Sequence, residues 1–117
     1  MNLALTERFG ASRCILGRVD GETATAVAGV GLGIAGIPQF ASLPAGRGIV
    51  GRAVRTGATQ LVDDVLRDPD YYAASALTRS ELVTPVPRAG RPALMLNLES
   101  NRLGAFSAED AEVLEAV

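Results

Sequence analysis

Histidine, lysine and tryptophan are missing from these 117 residues, and cysteine occurs once, at Cys14. Each absence excludes chemistry. Without histidine there is no His-ligated haem, no His-based metal site, and no Ser-His or Cys-His catalysis. A single cysteine allows neither an intrachain disulfide nor a cysteine metal cluster. No metal and no cofactor are therefore expected. Long apolar runs are also missing. The softest stretch, Val27 to Ile37, is far shorter than the roughly 20 residues of a membrane span, and its glycines each cost a helix about 1 kcal/mol. Positive charge has no surplus: 13 acids face 11 bases, all of them arginine, for a net charge of −2. A phosphate-binding surface needs local excess of base, so neither nucleic acid nor membrane is an expected partner. Met1 to Arg8 lacks the basic start and apolar run of a secretory leader, and a cytoplasmic location is expected.

What is present is an ordinary globular balance, 48% apolar and 21% charged. The length suits one domain over residues 1–117. The short first helix and the apolar stripe at the C-terminus leave open that this domain is a module of a longer protein.

Local signals divide the chain. A short helix is expected from Asn2 to Phe9, stopped by Gly10. Arg13 to Val19 and Thr23 to Ala28 read as a hairpin around Asp20-Gly21. Gly29 to Ala45 reads as a loop with a short extended piece at Phe40 to Leu43. Gly48 to Arg55 has Ile49, Val50, Ala53 and Val54 on one helical face, with Gly57 as a left-handed stop. Thr59 to Val62 is a short strand, and Asp63-Asp64 and Asp68-Pro69-Asp70 bracket a turn-rich crossing. Ser80 to Val86 and Pro92 to Glu99 read as strands, expected to pair over Leu82–Val86 and Ala93–Glu99 with frayed turn ends around Pro87 and Pro92, because proline cannot donate to a ladder. Leu94 is expected to take up space on its own face of the strand. Ser107, with Glu109 and Asp110 behind it, caps a last helix whose apolar stripe is Ala111, Leu114 and Val117.

The wording at these joints resembles a GAF domain, a small-molecule sensing module related in shape to PAS domains. The resemblance is carried by Gly48-Ile49-Val50-Gly51-Arg52-Ala53-Val54-Arg55-Thr56-Gly57, Gln60-Leu61-Val62-Asp63-Asp64-Val65 and Asp68-Pro69-Asp70-Tyr71. It continues through Arg79-Ser80-Glu81-Leu82-Val83-Thr84-Pro85-Val86, Leu96-Asn97-Leu98-Glu99-Ser100 and Gly104-Ala105-Phe106-Ser107-Ala108-Glu109-Asp110. It implies an α+β fold: a PAS-like central antiparallel sheet of five or six strands, helices on one face, and a ligand cavity on the other. That cavity would be walled by Gly29 to Leu43, the helix from Gly48, and the crossing from Asp68 to Arg79. Pairing through the terminal helices, as a weak homodimer, is also implied.

The family includes free methionine sulfoxide reductases; Glu81 and Glu99 match positions that hold the substrate's amine there, and Asn97 matches another acid of the same strand. The alternative is that these strand-end words are structural, bonding to nearby backbone. Val50 and Ala73-Ala74-Ser75 stand where the reductases carry cysteines, and a sulfoxide needs a thiol nucleophile. Cys14 reads as a small buried apolar residue. Tyr71 and Tyr72, two of five aromatics, are candidates to stack on a ligand, and Arg79 to grip an acid group. The expected ligand contacts are thus Tyr71, Tyr72, Arg79, Glu81 and Glu99. The expected function is non-enzymatic: binding of a small ligand, signalled to a neighbouring output domain. The alternatives are a ligand-free dimerisation scaffold and a degenerate relative of methionine sulfoxide reductase.

Overall fold

Alternation of apolar and polar residues builds one antiparallel sheet, seen in a computed structural model that describes residues 9–20, 23–31, 43–44, 48–71 and 77–116. The strands are β1 (Arg13–Asp20), β2 (Thr23–Gly31), β3 (Leu43–Pro44), β4 (Gln60–Val62), β5 (Ser80–Arg88) and β6 (Arg91–Ser100). Among the described residues they are accompanied by helices α1 (Gly48–Thr56) and α2 (Ala108–Glu115), with a 3-10 turn at Val65–Arg67. The sheet order is β3-β2-β1-β6-β5-β4. The first and last thirds of the chain therefore meet at the centre, where β1 pairs with β6.

A strand has two faces, and each is buried by different partners. On one face Cys14, Leu82, Leu96 and Leu98 pack with Phe9, Phe106 and Leu114. That face is covered by α2. Its start is held by a capping box: the Ser107 hydroxyl accepts from Asp110 N, and the Asp110 carboxylate accepts from Ser107 N. The stripe expected to form a dimer seam is used here. Leu114 is fully buried in the chain's own core and Ala111 packs against it; Val117 lies outside the described residues. On the other face Val62 and Val83 pack with Ile49 and Ala53 of α1 and with Val65, with Tyr71 at the margin. Gly57 ends α1 at φ 70°, as its position suggests.

Several boundaries differ from expectation. β2 continues through Gly29 to Gly31, a stretch whose glycines suggest a loop, because Gly31 pairs with Arg13 and Gly29 with Ile15. β3 begins at Leu43, and the expected piece at Phe40 to Ser42 lies outside the described residues, as do Asn2 to Arg8. The β5–β6 hairpin is longer and tighter than expected. Pairing of Leu82–Val86 with Leu94–Leu98 is as expected, but it runs on through Pro87↔Pro92 to Arg88↔Arg91. A register shift between Val86 and Pro87 absorbs the missing donors. Pro85 is tolerated because β4 reaches only as far as Val83, so β5 has a single neighbour there. Leu94 falls on the α2 face by alternation with Leu96 and Leu98, so the space it takes up is on that side. Met95 points to the other side, over Gly17, where an added Cβ would lie 2.6 Å from the Met95 methyl.

The hairpin turn is Ala89-Gly90, at φ 53° and 78°. Left-handed backbone at both positions suits glycine or asparagine, and alanine there is strained. Replacing Ala89 with Asn should raise stability by about 0.5–1 kcal/mol. Urea unfolding of both proteins measures it, and a loss of stability would show that the turn is not of this type.

Candidate functional site

Register places four polar side chains side by side on the α1 face. Glu81 of β5 lies directly opposite Glu99 of β6, and Glu99 lies opposite Arg13 of β1. Asn97 follows two residues before Glu99 on the same strand face. All four are deeply buried, with 5 to 7% of their surface exposed. Two buried carboxyl groups facing each other repel when both are charged, and desolvation penalises each charge further.

The surroundings treat the two acids unequally. Glu99 Oε1 accepts from Arg13 Nε at 3.3 Å and from the Thr78 hydroxyl at 2.7 Å, and Oε2 accepts from Asn97 Nδ2 at 3.1 Å. Arg13 Nη2 also donates to Thr78 Oγ1 at 2.6 Å and to Asn101 Oδ1 at 3.0 Å. Burial, then the charges of Glu99 and Glu81, push the Tyr71 hydroxyl above its usual pKa. Glu81 has no such support. Among the described residues no hydrogen bond or ion pair reaches its carboxyl group. Burial first, then the charges of Glu99 and Asp68, raise its pKa well above the ordinary carboxylate range, against smaller lowering effects of Arg13 and Arg52. Beside it, Asn97 Oδ1 is the one buried side-chain polar atom without a partner among the described residues. The Asn97 amide cannot be turned round to relieve this, because its amino group is required by Glu99.

A second cluster fastens the covering segment. Arg52 of α1 donates from Nη1 and Nη2 to the two oxygens of Asp68 at 2.9 and 2.7 Å. Nη1 also reaches Asp70 at 3.0 Å, and Nε reaches Gln60 Oε1 at 2.7 Å. Asp68 in turn closes its own turn by accepting from Asp70 N at 2.9 Å. The guanidinium thus ties α1, β4 and the crossing together just before Tyr71. The Arg52 hydrogen bonds hold the Asp68 carboxyl below the usual carboxylate range.

Of the residues expected at the site, Glu81, Glu99 and Tyr71 are brought together. Tyr72 lies outside the described residues. Arg79 is not brought to the carboxyl groups: its Nη1 donates to the neighbouring Thr78 carbonyl at 3.3 Å. The cation there is Arg13, which the sequence motifs do not single out. Its one signal is an arginine at the start of a strand otherwise apolar at Cys14 and Leu16. Ser80 and Ser100 do have the structural role considered for these strand ends. Ser80 donates to Arg102 O at 2.6 Å, and Ser100 accepts from Arg102 N at 3.1 Å. Cys14 is fully buried on the opposite, α2 face, and burial pushes its thiol up to about 11. It is the inert small residue expected.

The chain belongs to the GAF domain family, whose sequence model matches residues 3–117. A protein of Zymomonas mobilis, ZMO0507, is 39% identical over 71 residues, 60% of this chain and 44% of that protein. The free methionine-R-sulfoxide reductase of Neisseria meningitidis, solved with its substrate, superposes with a TM-score of 0.85 at 33% identity, over 96% of this chain and 65% of that one. The type II enzyme of Thermoplasma acidophilum gives 0.87 at 25%, over 97% and 78%. The chain spans about half the length of the curated relatives it matches, 44 to 48%. These neighbours overturn the expectation that the chain is not an enzyme. That expectation rested on missing cysteines, which concern only the thiol half of such a site.

Two outcomes follow from the electrostatics. Arg52→Ala should cost about 1–2 kcal/mol at neutral pH, since partly buried charge-assisted bonds are lost. Asp68 has a lowered folded pKa, so its contribution is present above the unfolded carboxylate pKa and lost as pH falls through the folded value. The gap between Arg52→Ala and wild type should therefore close in strong acid; a gap unchanged in urea titrations at low pH would assign the loss to packing. Glu81 runs the other way. Its raised folded pKa means the folded state keeps a proton that the unfolded state loses, so stability falls as pH rises above about 4.3. Glu81→Gln should match wild type in acid and exceed it at neutral pH in thermal scans. A variant less stable than wild type at every pH would show that Glu81 is internally paired.

Proposed function

We propose that this GAF domain binds a free amino acid of the methionine sulfoxide type, as a relative of the free methionine-R-sulfoxide reductases. The observation that carries the reading is the unequal acid pair. Glu99 is bonded internally, whereas the Glu81 carboxyl group and the buried Asn97 carbonyl receive no donor among the described residues, and an amino group would supply one. Leaving such groups unpaired costs about 1–3 kcal/mol, so a donor brought by a ligand removes a standing penalty. The apolar cluster of Val83, Ile49 and Val65, with Tyr71 at its margin, lies on the same sheet face as the acids.

Sulfoxide reduction consumes two thiols: the S=O oxygen leaves as water, the thioether forms, and the thiols join as a disulfide. Cys14 faces away from the site and is held protonated, so the thiols come from outside these 117 residues, as a dithiol cosubstrate or another protein segment. A cytoplasmic location, where such thiols stay reduced, fits this reading. The sensory role expected from the sequence requires the same binding step, and no observation in the structure favours it over the reductase kinship.

Calorimetric titration with L-methionine-R-sulfoxide tests the proposal. Binding is expected, together with methionine formation when dithiothreitol is present. Glu81→Gln should weaken binding by about tenfold or more, because a charge-assisted bond is lost. Absence of both binding and turnover in the wild type would remove the reading.

A further inference from the structure

We infer that Glu81 and the Asn97 carbonyl form a proton-exchanging seat: the Glu81 carboxyl carries a proton in the unliganded protein, and a primary ammonium displaces it on binding. The inference rests on the amino-acid reading of the site and adds the proton. Its basis is the distribution of donors around two facing acids. Glu99 receives three, from Arg13, Thr78 and Asn97; Glu81 receives none among the described residues. The pair cannot hold two charges at adjacent register positions out of water, so the retained proton sits on the unsupported member.

The charges facing Glu81 do not alter that assignment. From β6 comes Glu99 and from the crossing Asp68, both negative; Tyr71 is neutral. From β1 comes Arg13, committed to Glu99, Thr78 and Asn101. From α1 comes Arg52, committed to Asp68, Asp70 and Gln60. Each guanidinium is matched by an acid of its own, which leaves Glu81 without a counter-ion among the described residues. The second, independent mark of a ligand position is Asn97 Oδ1, buried and unpartnered on the same sheet face, two residues along β6 from Glu99. A protonated carboxyl has one hydrogen to donate, whereas an ammonium has three, enough for Glu81 and Asn97 together.

The exchange balances in charge and in protons. A neutral Glu81 carboxylic acid and a ligand ammonium become a Glu81 carboxylate hydrogen-bonded to that ammonium, and one proton passes to solvent. No covalent bond to the ligand forms. Affinity for an amine ligand then rises with pH, by about tenfold per unit while Glu81 keeps its proton in the unliganded protein, because one proton leaves per ligand bound.

Titration calorimetry with L-methionine-R-sulfoxide, from about pH 5 to about pH 8, in two buffers of different ionisation enthalpy, measures the released proton directly. The expected result is release approaching one proton per ligand, with none released by Glu81→Gln. The deaminated analogue, 4-(methylsulfinyl)butanoic acid, should bind without releasing a proton or not at all. Carbon-13 NMR of glutamate-labelled wild-type protein supplies a readout independent of any ligand. One carboxyl resonance, missing from Glu81→Gln, should titrate well above the ordinary carboxylate range. Binding of the sulfoxide with no proton release and pH-independent affinity would overturn the exchange while leaving the amino-acid reading intact. No binding at any pH would overturn both.

Discussion

Two carboxyl groups facing each other at the centre of a buried sheet form the constraint around which the rest of the α1 face is arranged. Register makes the confrontation unavoidable, since Glu81 and Glu99 are paired positions on neighbouring strands. In water such a pair costs little. Here each group is only 5% exposed, and an unscreened charge in the interior is among the most expensive features a fold can carry. The chain meets this by directing its nearby donors to one acid. Arg13, Thr78 and Asn97 converge on Glu99 from three elements, so β1, the end of the crossing and β6 become interdependent. A buried ion pair of this kind is weak as a source of stability but strict about geometry, because removing either partner strands the other.

The crossing above the pair is held by similar means. It carries Thr78 at one end and Tyr71 at the other, and its described part has little apolar surface to hold it down. Val65 is the exception, fully buried against Val83 and Ile49. Arg52 supplies the rest, joining α1 to Asp68 and Asp70 through a planar fork that matches the carboxylate. The two arginines thus have parallel roles: one organises the floor of the site, the other its cover. Each is matched by its own acids, and the residue left over is Glu81.

Much of the fold is legible in the sequence because it is written in local chemistry. The alternation at Leu94, Leu96 and Leu98, the glycine stop at Gly57, and the Ser107 cap require only neighbours in the chain. The longer hairpin is harder to read. Pro87 and Pro92 each argue against pairing, but here they face one another at a register shift where no ladder donor is needed. The extension of β2 through Gly29 to Gly31 is hidden for a similar reason, since a strand of small residues has no periodic signal. At the site, Glu81 and Glu99 are legible as strand-end acids in neighbouring strands. Arg13 is not, because its meaning depends on a strand more than eighty residues away in sequence. Arg79 stands two residues before Glu81, but it lies just ahead of β5 and its Nη1 turns back to the Thr78 carbonyl.

The missing cysteines and the retained acids belong to different parts of the structure, which is why one does not predict the other. The acids sit in central strands, fixed by ladders on both sides. Of the positions where the resemblance places the thiols, Val50 belongs to α1, outside the sheet, and Ala73 to Ser75 lie outside the described residues. Losing Glu81 would improve the stability of the protein, since nothing among the described residues compensates its burial. A buried, unsupported acid persists against that gradient only where something else depends on it. In the proposed function that role falls to a ligand carrying the donors the protein itself withholds.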